Sequence, residues 1–401
     1  MNVLMFGWEF APMYSGGLGV ACAGLVKAMI KEGANVTFVL PKLPAGFDQK
    51  KLGVISAENY GPKLTLKYVP SLATPYMSHG QYDAIYALYK KRNPNNALYG
   101  PNLFAEVARL AEAAKIIAKE IPHDVIHCHD WMTYPAGIAA KAVSHKPLIV
   151  HVHATEYDRT GGVGNKDVHA IEQRGFEQAD AIVTVSNYTK TKVVSDYQIP
   201  LAKITTVHNA IEQKPQQPRI GTNKKVVLFL GRLTAQKGPD WFLKTAEKVL
   251  QKEPNATFVI AGSGDLEPHI IEKAATLGIA DSVLFAGFLT GADIDRAYRM
   301  ADVYVMPSVS EPFGLTALEA MATGTPTIIS HQSGVSEVVQ HCLKVNYGDT
   351  NAMADKILGV LAYSDLRKEL GLNGSTEAQA FSWTKPAQNV LSLYSTMRKR
   401  K

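Results

Sequence analysis

The N-terminal part of the chain contains an apolar run, a glycine loop, an amphipathic stretch and a second apolar run. Val3 to Phe6 is uninterrupted by polar residues, as expected for a parallel strand that is buried on both faces. Gly33 ends the predicted helix, and Asn35 to Leu40 predicts the next strand. This order predicts the start of a doubly wound parallel sheet. The helix is predicted from apolar residues at helical spacing, namely Leu25, Val26, Met29 and Ile30.

A polar segment divides the chain, and the same pattern restarts after it. Glu212 to Lys225 contains two prolines and a glycine and predicts a linker. Beyond it, Pro239 stands where the first turn of a helix is predicted. Strands are predicted before the linker at Val125–Cys128, Leu148–His151, Ala181–Val185 and Ile204–Val207. They are predicted after it at Val226–Leu230, Thr257–Ala261, Val283–Phe285, Val303–Met306 and Thr327–Ser330.

The repeated pattern predicts an α/β protein of two doubly wound, Rossmann-like domains. A length of 401 residues agrees with two domains. We place the N-terminal domain at residues 1–215 and the C-terminal domain at residues 216–378. Residues 379–401 predict a terminal helix around Trp383, whose apolar residues could pack on either domain.

The composition is that of a globular protein, with 46% hydrophobic and 19% charged residues. The net charge of +6 is mild. The basic residues Arg398–Lys401 are interpreted as a solvated chain terminus rather than as a segment that attaches to an anionic membrane. No aromatic residues are interleaved with a basic run, so nucleic acid is not an expected partner. Dispersed cysteines, no signal peptide and no transmembrane stretch together predict a cytoplasmic protein.

Glycine-rich loops follow several predicted strands, and such loops bind anions where a helix begins after them. Loops at the strand ends of both halves favour a ligand between the halves. A dehydrogenase is disfavoured because Cys22 stands at the position of the third glycine, and no P-loop G-K-[ST] is present. The candidate loops are Gly16–Gly19, Gly231–Leu233, Gly262–Asp265 and Glu311–Thr316.

Two cations and two carboxylates accompany these loops. Arg232 and Lys237 lie five residues apart across one predicted loop, so both could reach one diphosphate. Glu311 precedes a helix predicted to start near Phe313. A carboxylate there could accept from sugar hydroxyls while the helix N–H groups hold a phosphate. Glu319 follows in the same predicted helix.

Histidines alternate along two predicted strands. His127 and His129 share one face of their strand, and His151 and His153 share one face of theirs. Zinc is disfavoured because no dedicated cysteine or carboxylate ligand set accompanies them, so no metal is expected. His153 ends its strand and faces the predicted cleft, where a polar contact to substrate is expected.

One acidic pattern resembles a metal–nucleotide motif. Asp293-Ile294-Asp295 follows Gly291 and opens a predicted helix. Capping of that helix accounts for the pair better than metal binding does.

In this order, the motifs resemble those of retaining glycosyltransferases of the two-domain GT-B architecture, in glycosyltransferase family four and the glycogen/starch synthase group. The similarity covers nearly the whole chain, and its most specific part is E-x7-E, here Glu311 to Glu319, with Arg232 and Lys237 upstream. The other matching segments are GWEFAP…SGGLG, HCHDW, HVHATEYDR, VSNYTK, VHNAIE, FLGRLTAQKG, AGSGD, GFL and SEPFGLTALEAMATGTP.

The resemblance implies a role for each matching residue. Arg232 and Lys237 would neutralise the donor diphosphate, and Glu311 and His153 would contact the transferred sugar; these are the four predicted catalytic residues. Asp130 would lie near the acceptor, and the terminal helix would cross back to the first domain. The predicted donor-binding residues are Gly16, Gly17, Gly262, Gly264, Gly314, Leu315 and Thr316, together with Glu319 for the ribose.

The implied reaction is a retaining, metal-independent transfer of a hexose, glucose first, from UDP- or ADP-glucose to a glucan or another glycoside, with no cofactor. Glycogen and starch synthases typically carry Lys-x-Gly-Gly at the first loop, where this chain has Tyr14-Ser15-Gly16-Gly17. Alternatives are transfer to a lipid, a small glycoside or a sugar phosphate. A non-catalytic sugar-nucleotide-binding protein is an alternative of another class. The sequence leaves the donor base, the hexose, the acceptor and the oligomeric state open.

Overall fold

The computed structural model describes residues 1–11, 16–42, 64–71, 79–92, 102–162, 164–213 and 217–399. Three sequence features fall partly outside the described residues. These parts are Tyr14 and Ser15 of the first glycine loop, residues 214–216 of the linker, and Arg400 and Lys401 of the basic end.

The first sheet is parallel and doubly wound, as the sequence predicts. Its described strands run in the order β3-β2-β1-β4-β5-β6-β7, where β1 is Asn2–Phe6, β2 Asn35–Lys42, β3 Leu64–Pro70, β4 Val125–His129, β5 Leu148–Val152, β6 Ala181–Thr184 and β7 Ile204–Thr206. β1 lies at the centre, where Val3 pairs with Val36 on one side and Val125 on the other. A central strand has helices on both faces, which explains its continuous apolar run.

The second sheet repeats this topology. Its described strands are β8 (Lys225–Leu230), β9 (Ala256–Ala261), β10 (Val283–Gly287), β11 (Val303–Met306), β12 (Thr327–Ser330) and β13 (Leu343–Val345). They are parallel and run in the order β10-β9-β8-β11-β12-β13. Strand order reverses beside β8, and in such sheets the crevice at this point binds ligands.

Helices lie on both faces of each sheet. Alternation along β1 assigns Leu4 and Phe6 to one apolar core and Val3 and Met5 to the other. The helices of the N-terminal half are α1 (Gly17–Lys31), α2 (His79–Arg92), α3 (Leu103–Glu120), α4 (Tyr134–Ser144), α5 (Glu156–Thr160), α6 (Lys166–Gln178) and α7 (Asn187–Tyr197). Those of the C-terminal half are α8 (Pro239–Leu250), α9 (Glu267–Thr276), α10 (Ala292–Met300), α11 (Leu315–Ala322), α12 (Thr350–Ala362), α13 (Ser364–Ala378) and α14 (Thr384–Lys399).

The terminal helix α14 packs against α1 at the other end of the chain. Its buried residues Ala387, Val390 and Tyr394 share one core with the strands of the first sheet. Trp383 packs against α1 at Gly24, where an added Cβ would come within 2.2 Å of the indole nitrogen. We call the first sheet with its helices and α14 the N-terminal lobe, and the second sheet with its helices the C-terminal lobe.

Two strands have no counterpart in the sequence analysis. β3 mixes apolar and polar residues, and β13 has only three residues. Both lie at sheet edges, where a strand needs no continuous apolar run. One helix start is corrected: α11 begins at Leu315 rather than near Phe313, because Gly314 is in the left-handed region at φ +111°.

Candidate active site

The carboxyl ends of both sheets open onto one cavity between the lobes, with a volume of about 920 Å³. Its lining comes from loops that follow β1, β4, β5, β8, β9 and β11. The structure therefore brings together residues that are far apart in the chain, and their individual roles remain predictions. All residues assigned to the site from the sequence line this cavity, namely Gly16, Gly17, Asp130, His153, Arg232, Lys237, Gly262, Gly264, Glu311, Gly314, Leu315, Thr316 and Glu319.

Lys237 and Glu311 form an ion pair in the C-terminal wall of the cavity. Lys237 Nζ lies 2.6 Å from Glu311 Oε2, and the two side chains are only 22% and 8% exposed. Ser308 Oγ donates to the same carboxylate oxygen at 3.2 Å. The pair is enclosed by protein, so its charges are screened less than those of a surface pair. The sequence predicts both residues at the site but not their contact with each other.

Arg232 lies on a loop that packs closely against a second loop, where two glycines make room for it. Arg232 follows β8, and Leu233 N donates to Ser263 O at 3.0 Å. A Cβ at Gly262 would stand 1.9 Å from Gly231 O, and one at Gly264 would stand 2.5 Å from Leu233 O. These glycines line the cavity, as predicted, and in addition they let the two loops approach closely.

The N-terminus of α11 points into the cavity beside the ion pair. Gly314 precedes the helix in the left-handed conformation, and an added Cβ would meet Val335 at 2.9 Å. Thr316 Oγ1 accepts from Tyr304 at 2.8 Å, and Tyr298 donates to Glu319 at 3.2 Å. Unpaired N–H groups in the first turn of a helix favour an anion. This arrangement is chemically able to hold an anion such as phosphate next to Lys237.

The N-terminus of α1 faces the same cavity from the N-terminal lobe. Gly16 precedes the helix with an extended backbone, and Gly17 is its first residue. A Cβ at Gly17 would have no heavy atom of the described residues within 4 Å. The N-termini of two helices, one from each lobe, therefore line one cavity.

His153 and Asp130 lie next to each other on the N-terminal wall. The backbone N–H of His153 donates to Asp130 Oδ1 at 2.7 Å, and its Nε2 lies 3.0 Å from His129 Nδ1. Burial lowers the pKa of His153, an effect that the charge of Asp130 partly offsets. Because its pKa is lowered, the His153 ring is neutral near pH 7. Asp130 itself has a positive φ of 59°, which is unusual for a residue other than glycine.

Behind His153, the predicted alternation of histidines produces a stack of four imidazoles. His127, His129 and His151 are buried, with ring centroids of neighbouring rings 4.3–5.3 Å apart. Tyr394 of α14 bonds to His127 Nδ1. The stack lies next to Cys22 of α1, a residue that the sequence analysis did not connect with these histidines.

Contacts between the lobes flank Glu311 on both sides. Ser310 Oγ donates to Asp158 Oδ1 at 2.6 Å and lies 2.9 Å from Lys192 Nζ. Ser186 Oγ donates to Pro312 O at 2.6 Å. The sequence analysis gave these N-terminal residues no role, although Asp158 and Ser186 lie in the matching segments HVHATEYDR and VSNYTK. They hold the Glu311 loop directly against the N-terminal lobe.

A buried charged network supports the N-terminal wall. Arg159 lies 3.1 Å from Glu172 and 3.4 Å from Glu156, and its Nη2 donates to Ala154 O at 2.7 Å. Burial raises the pKa of Glu172 to about 7, although Arg159 acts in the opposite direction. Only Arg159 of these four residues has a charged group at the cavity.

The prediction that Asp293 and Asp295 cap a helix is wrong in one respect. Both lie in the first turn of α10, but the cap position is Gly291, and no side chain makes a cap hydrogen bond there. Acidic residues in a first turn are still favoured by the helix dipole.

Among the described residues, no helix has the length and apolar character that crossing a membrane would require.

Known proteins match both lobes. The family described as "Starch synthase catalytic domain" matches residues 2–207, and "Glycosyl transferases group 1" matches residues 210–377. An uncharacterized glycosyltransferase of Methanocaldococcus jannaschii is 29% identical over 98% of both chains. A glycogen synthase of Mycobacterium tuberculosis is 28% identical over 84% of this chain and 80% of its own. The solved structure of sucrose-phosphate synthase from Thermosynechococcus elongatus superposes with a TM-score of 0.80 at 21% identity over 100% of both chains.

Two parallel-sheet lobes that face one cavity, with helix N-termini and paired charges in its walls, define a glycosyltransferase of the GT-B fold. The chain belongs to the starch synthase and group 1 glycosyltransferase family. This confirms the predicted architecture and the predicted enzyme class. The comparisons do not single out glycosyltransferase family four.

Proposed function

We propose that this protein transfers a hexose, glucose in the first instance, from a nucleotide-diphosphate donor to a glucan or another glycoside, with retention at the anomeric carbon and without a metal at the diphosphate. One observation carries the proposal. Lys237 and Glu311 form a 2.6 Å ion pair at the start of α11, inside the cavity between the lobes. A cation, a carboxylate and a helix N-terminus stand within one small region, as a sugar joined to a diphosphate requires.

The C-terminal wall suits the leaving group. Breaking the bond between the sugar and the diphosphate develops negative charge on the phosphate, and fixed positive groups lower that barrier. Lys237, Arg232 and the first N–H groups of α11 supply such groups from side chains and backbone. These groups would act without a metal ion, which a chelator can test directly.

Glu311 is suited to hydrogen bonding with the sugar rather than to nucleophilic attack on it. Its carboxylate already interacts with Lys237 and Ser308, and these contacts lower its nucleophilicity. A carboxylate held in this way can accept hydrogen bonds from sugar hydroxyls. The neutral ring of His153 lines the opposite wall and can contact the sugar without adding a positive charge near the reacting carbon.

The proposed step needs no nucleophile from the protein. The bond from the anomeric carbon to the diphosphate oxygen breaks, and its electron pair leaves with the oxygen. The acceptor hydroxyl then bonds to the anomeric carbon from the same face, and its proton passes to the departing phosphate. Glu319, which lines the cavity and accepts from Tyr298, is assigned to the ribose.

The glucan acceptor is supported by the relative named glycogen synthase, which covers 84% of this chain. Transfer to a sugar phosphate is the second candidate, since sucrose-phosphate synthase shares the fold. Contacts between the lobes beside Glu311 support a site that closes around the donor and limits its hydrolysis.

The test is a panel of nucleotide sugars, UDP- and ADP-glucose first, against glycogen, a small glycoside and a sugar phosphate, each with and without EDTA. We expect acceptor-dependent release of nucleotide diphosphate that EDTA does not reduce. The α-anomeric configuration of the product, read by NMR, tests retention. Donor binding without turnover on any acceptor would favour a sugar-nucleotide-binding protein, and an inverted product would contradict the proposed step.

A further inference from the structure

A cluster of imidazoles and one thiol lies behind the N-terminal wall of the cavity, and the proposed transfer uses only one of its members. His129 and Cys22 are fully buried, and His153 connects them to the cavity. Cys22 comes from α1, His129 from β4 and His153 from the end of β5. Three separate elements therefore bring a thiol and two imidazoles to one point.

The two imidazoles already have the spacing of two ligands of one metal ion. His129 Nδ1 lies 3.0 Å from His153 Nε2, and the ring centroids are 5.2 Å apart with the planes tilted by 41°. With metal–nitrogen bonds of about 2.0–2.1 Å, a tetrahedral zinc ion places two such nitrogens about 3.3 Å apart and the centroids about 5 Å apart. The ligand atoms of Cys22, His129 and His153 all lie within 4.8 Å of one another.

A second set of three side chains, His127, His129 and His151, is equally compact but less suitable. The rings of His127 and His129 are stacked, with centroids 4.5 Å apart and planes only 21° apart. A metal ion must lie near the plane of each imidazole that binds it, so two stacked rings cannot direct their lone pairs to one point. Cys22 instead adds a sulfur ligand, which zinc binds well.

Hydrogen bonding alone does not account for the cluster. His129 Nε2 and His151 Nε2 are buried and have no hydrogen-bond partner among the described residues. Buried polar groups in folded proteins are nearly always satisfied. His129 thus has one unsatisfied nitrogen, Nε2, while its Nδ1 is paired with His153 Nε2, and an ion held by these two rings would replace that single hydrogen bond.

The electrostatic surroundings favour a cation. The carboxylates of Glu9 and Asp130 both interact electrostatically with Cys22. Glu9 is 2% exposed and accepts from the backbone N–H of Gly19 in α1. Because His153 lines the cavity, an ion has a route to the site from the solvent-filled side.

We propose that Cys22, His129 and His153 form a binding site for a tetrahedral transition-metal ion of the zinc type, and that an ion in this site blocks the sugar side of the donor site. The second part rests on the proposed function, because it needs His153 at the sugar. Binding takes the proton from the Cys22 thiol, which passes to solvent, and fixes the His153 ring on the ion. The ion is therefore an inhibitor, not a cofactor.

Cobalt(II) is the probe for the site itself. Full-length protein is stripped with EDTA, desalted, and titrated with Co²⁺ in the absence of any sugar nucleotide. We expect one equivalent to produce a thiolate-to-cobalt charge-transfer band and the strong visible bands of a tetrahedral ion, which Zn²⁺ then removes. Cys22→Ala should lose the charge-transfer band, whereas Cys342→Ala, which removes a buried free thiol from the other lobe, should keep it.

A folded wild-type protein without these bands would overturn the proposal, and so would an unchanged charge-transfer band in Cys22→Ala. Should Cys22→Ala fail to fold by circular dichroism, His129→Gln takes its place and should lose the tetrahedral bands.

The inhibitory effect has its own measurement. With Zn²⁺ present, we expect the KM for the nucleotide sugar to rise at least tenfold in the wild type and to stay unchanged in Cys22→Ala. Cobalt binding without any change in KM would overturn the link to the donor site. Cobalt binding is measured without substrate, so it can succeed or fail independently of the proposed transfer.

Discussion

The two walls of the cavity are built on the same topology but present different chemistry. The C-terminal wall exposes a cation, a carboxylate and the start of α11 to the cavity. The N-terminal wall presents glycine backbone, a neutral imidazole and the charges of Asp130 and Arg159, which lie 3.7 Å apart, and it keeps Glu156 and Glu172 buried beneath the surface. In the proposed transfer, one doubly wound lobe therefore stabilises developing charge while the other provides shape around the sugar.

The largest expected effect comes from removing the charges of the C-terminal wall. Lys237→Met and Glu311→Gln keep most of the side-chain volume but abolish the ion pair. We expect each to lower turnover by about 100- to 1,000-fold, as loss of a preorganised charge in an active site does. Steady-state kinetics and thermal unfolding together separate loss of function from loss of fold.

A matched pair in the same lobe is the control. Lys225 and Glu253 form an ion pair of 2.5 Å at the amino end of β8, away from the cavity. Lys225→Met should leave turnover at the wild-type level. If the folded Lys237→Met and Glu311→Gln proteins are as active as the wild type, the two walls do not differ in the way described.

The second effect concerns the buried charge of the N-terminal lobe. Burial raises the pKa of Glu172 to about 7 from an ordinary value near 4.5, so the folded protein keeps a proton that the unfolded chain releases. The contribution of Glu172 is therefore fully present below pH 4.5 and is lost as pH rises through 7, at about 1.4 kcal/mol per pH unit. Glu172→Gln, which stays neutral, should gain stability over the wild type as pH rises.

Urea unfolding at about pH 5 and about pH 8 measures this difference between wild type and variant. Glu177→Gln, on the exposed side of the same helix, is the control and should show no pH-dependent difference. Parallel stability curves for wild type and Glu172→Gln would mean that Arg159 keeps the carboxylate ionised in the fold.

A third effect concerns how tightly the glycines at the starts of α11 and α1 are packed. Gly314→Ala places a Cβ within 2.9 Å of Val335 at a φ of +111°. We expect it to lower the free energy of unfolding by about 1–3 kcal/mol, the usual cost of such a backbone conformation. Thermal unfolding measures it, with Gly348→Ala as the control, since a Cβ there meets nothing within 4 Å. An unchanged midpoint for Gly314→Ala would contradict the tight fit of α11.

The smallest effect on stability is expected at the corresponding glycine of the N-terminal wall. A Cβ at Gly17 would meet nothing within 4 Å in the part of the chain that the structure describes, so Gly17→Ala should change the free energy of unfolding by no more than about 0.5 kcal/mol. The methyl group would instead crowd the approach of the diphosphate, and we expect a several-fold higher donor KM. Gly221→Ala, equally unhindered but outside the cavity, should leave KM unchanged; equal KM values for both would remove Gly17 from the donor site.

Most of the sheet framework follows from local pattern, and the exceptions have a common cause. The central strands β1, β8 and β11 contain continuous apolar runs because both their faces are covered. β3 and β13 lie at edges and carry no such run. The predicted start of α11, near Phe313, lies too early in the chain, because the left-handed conformation of Gly314 depends on its packing against Val335 and Met306.

The chain by itself determined the two-lobed α/β architecture, because strand ends followed by glycine loops must meet at one edge of a parallel sheet. The residues expected at the cavity came partly from these loops and partly from the family resemblance. Only the tertiary structure decided which of these residues pair with each other. Lys237 meets Glu311, Ser310 meets Asp158, and Cys22 joins His129 and His153. Each contact joins separate elements, so its geometry depends on how helices and lobes pack, which periodicity and motif spacing do not encode.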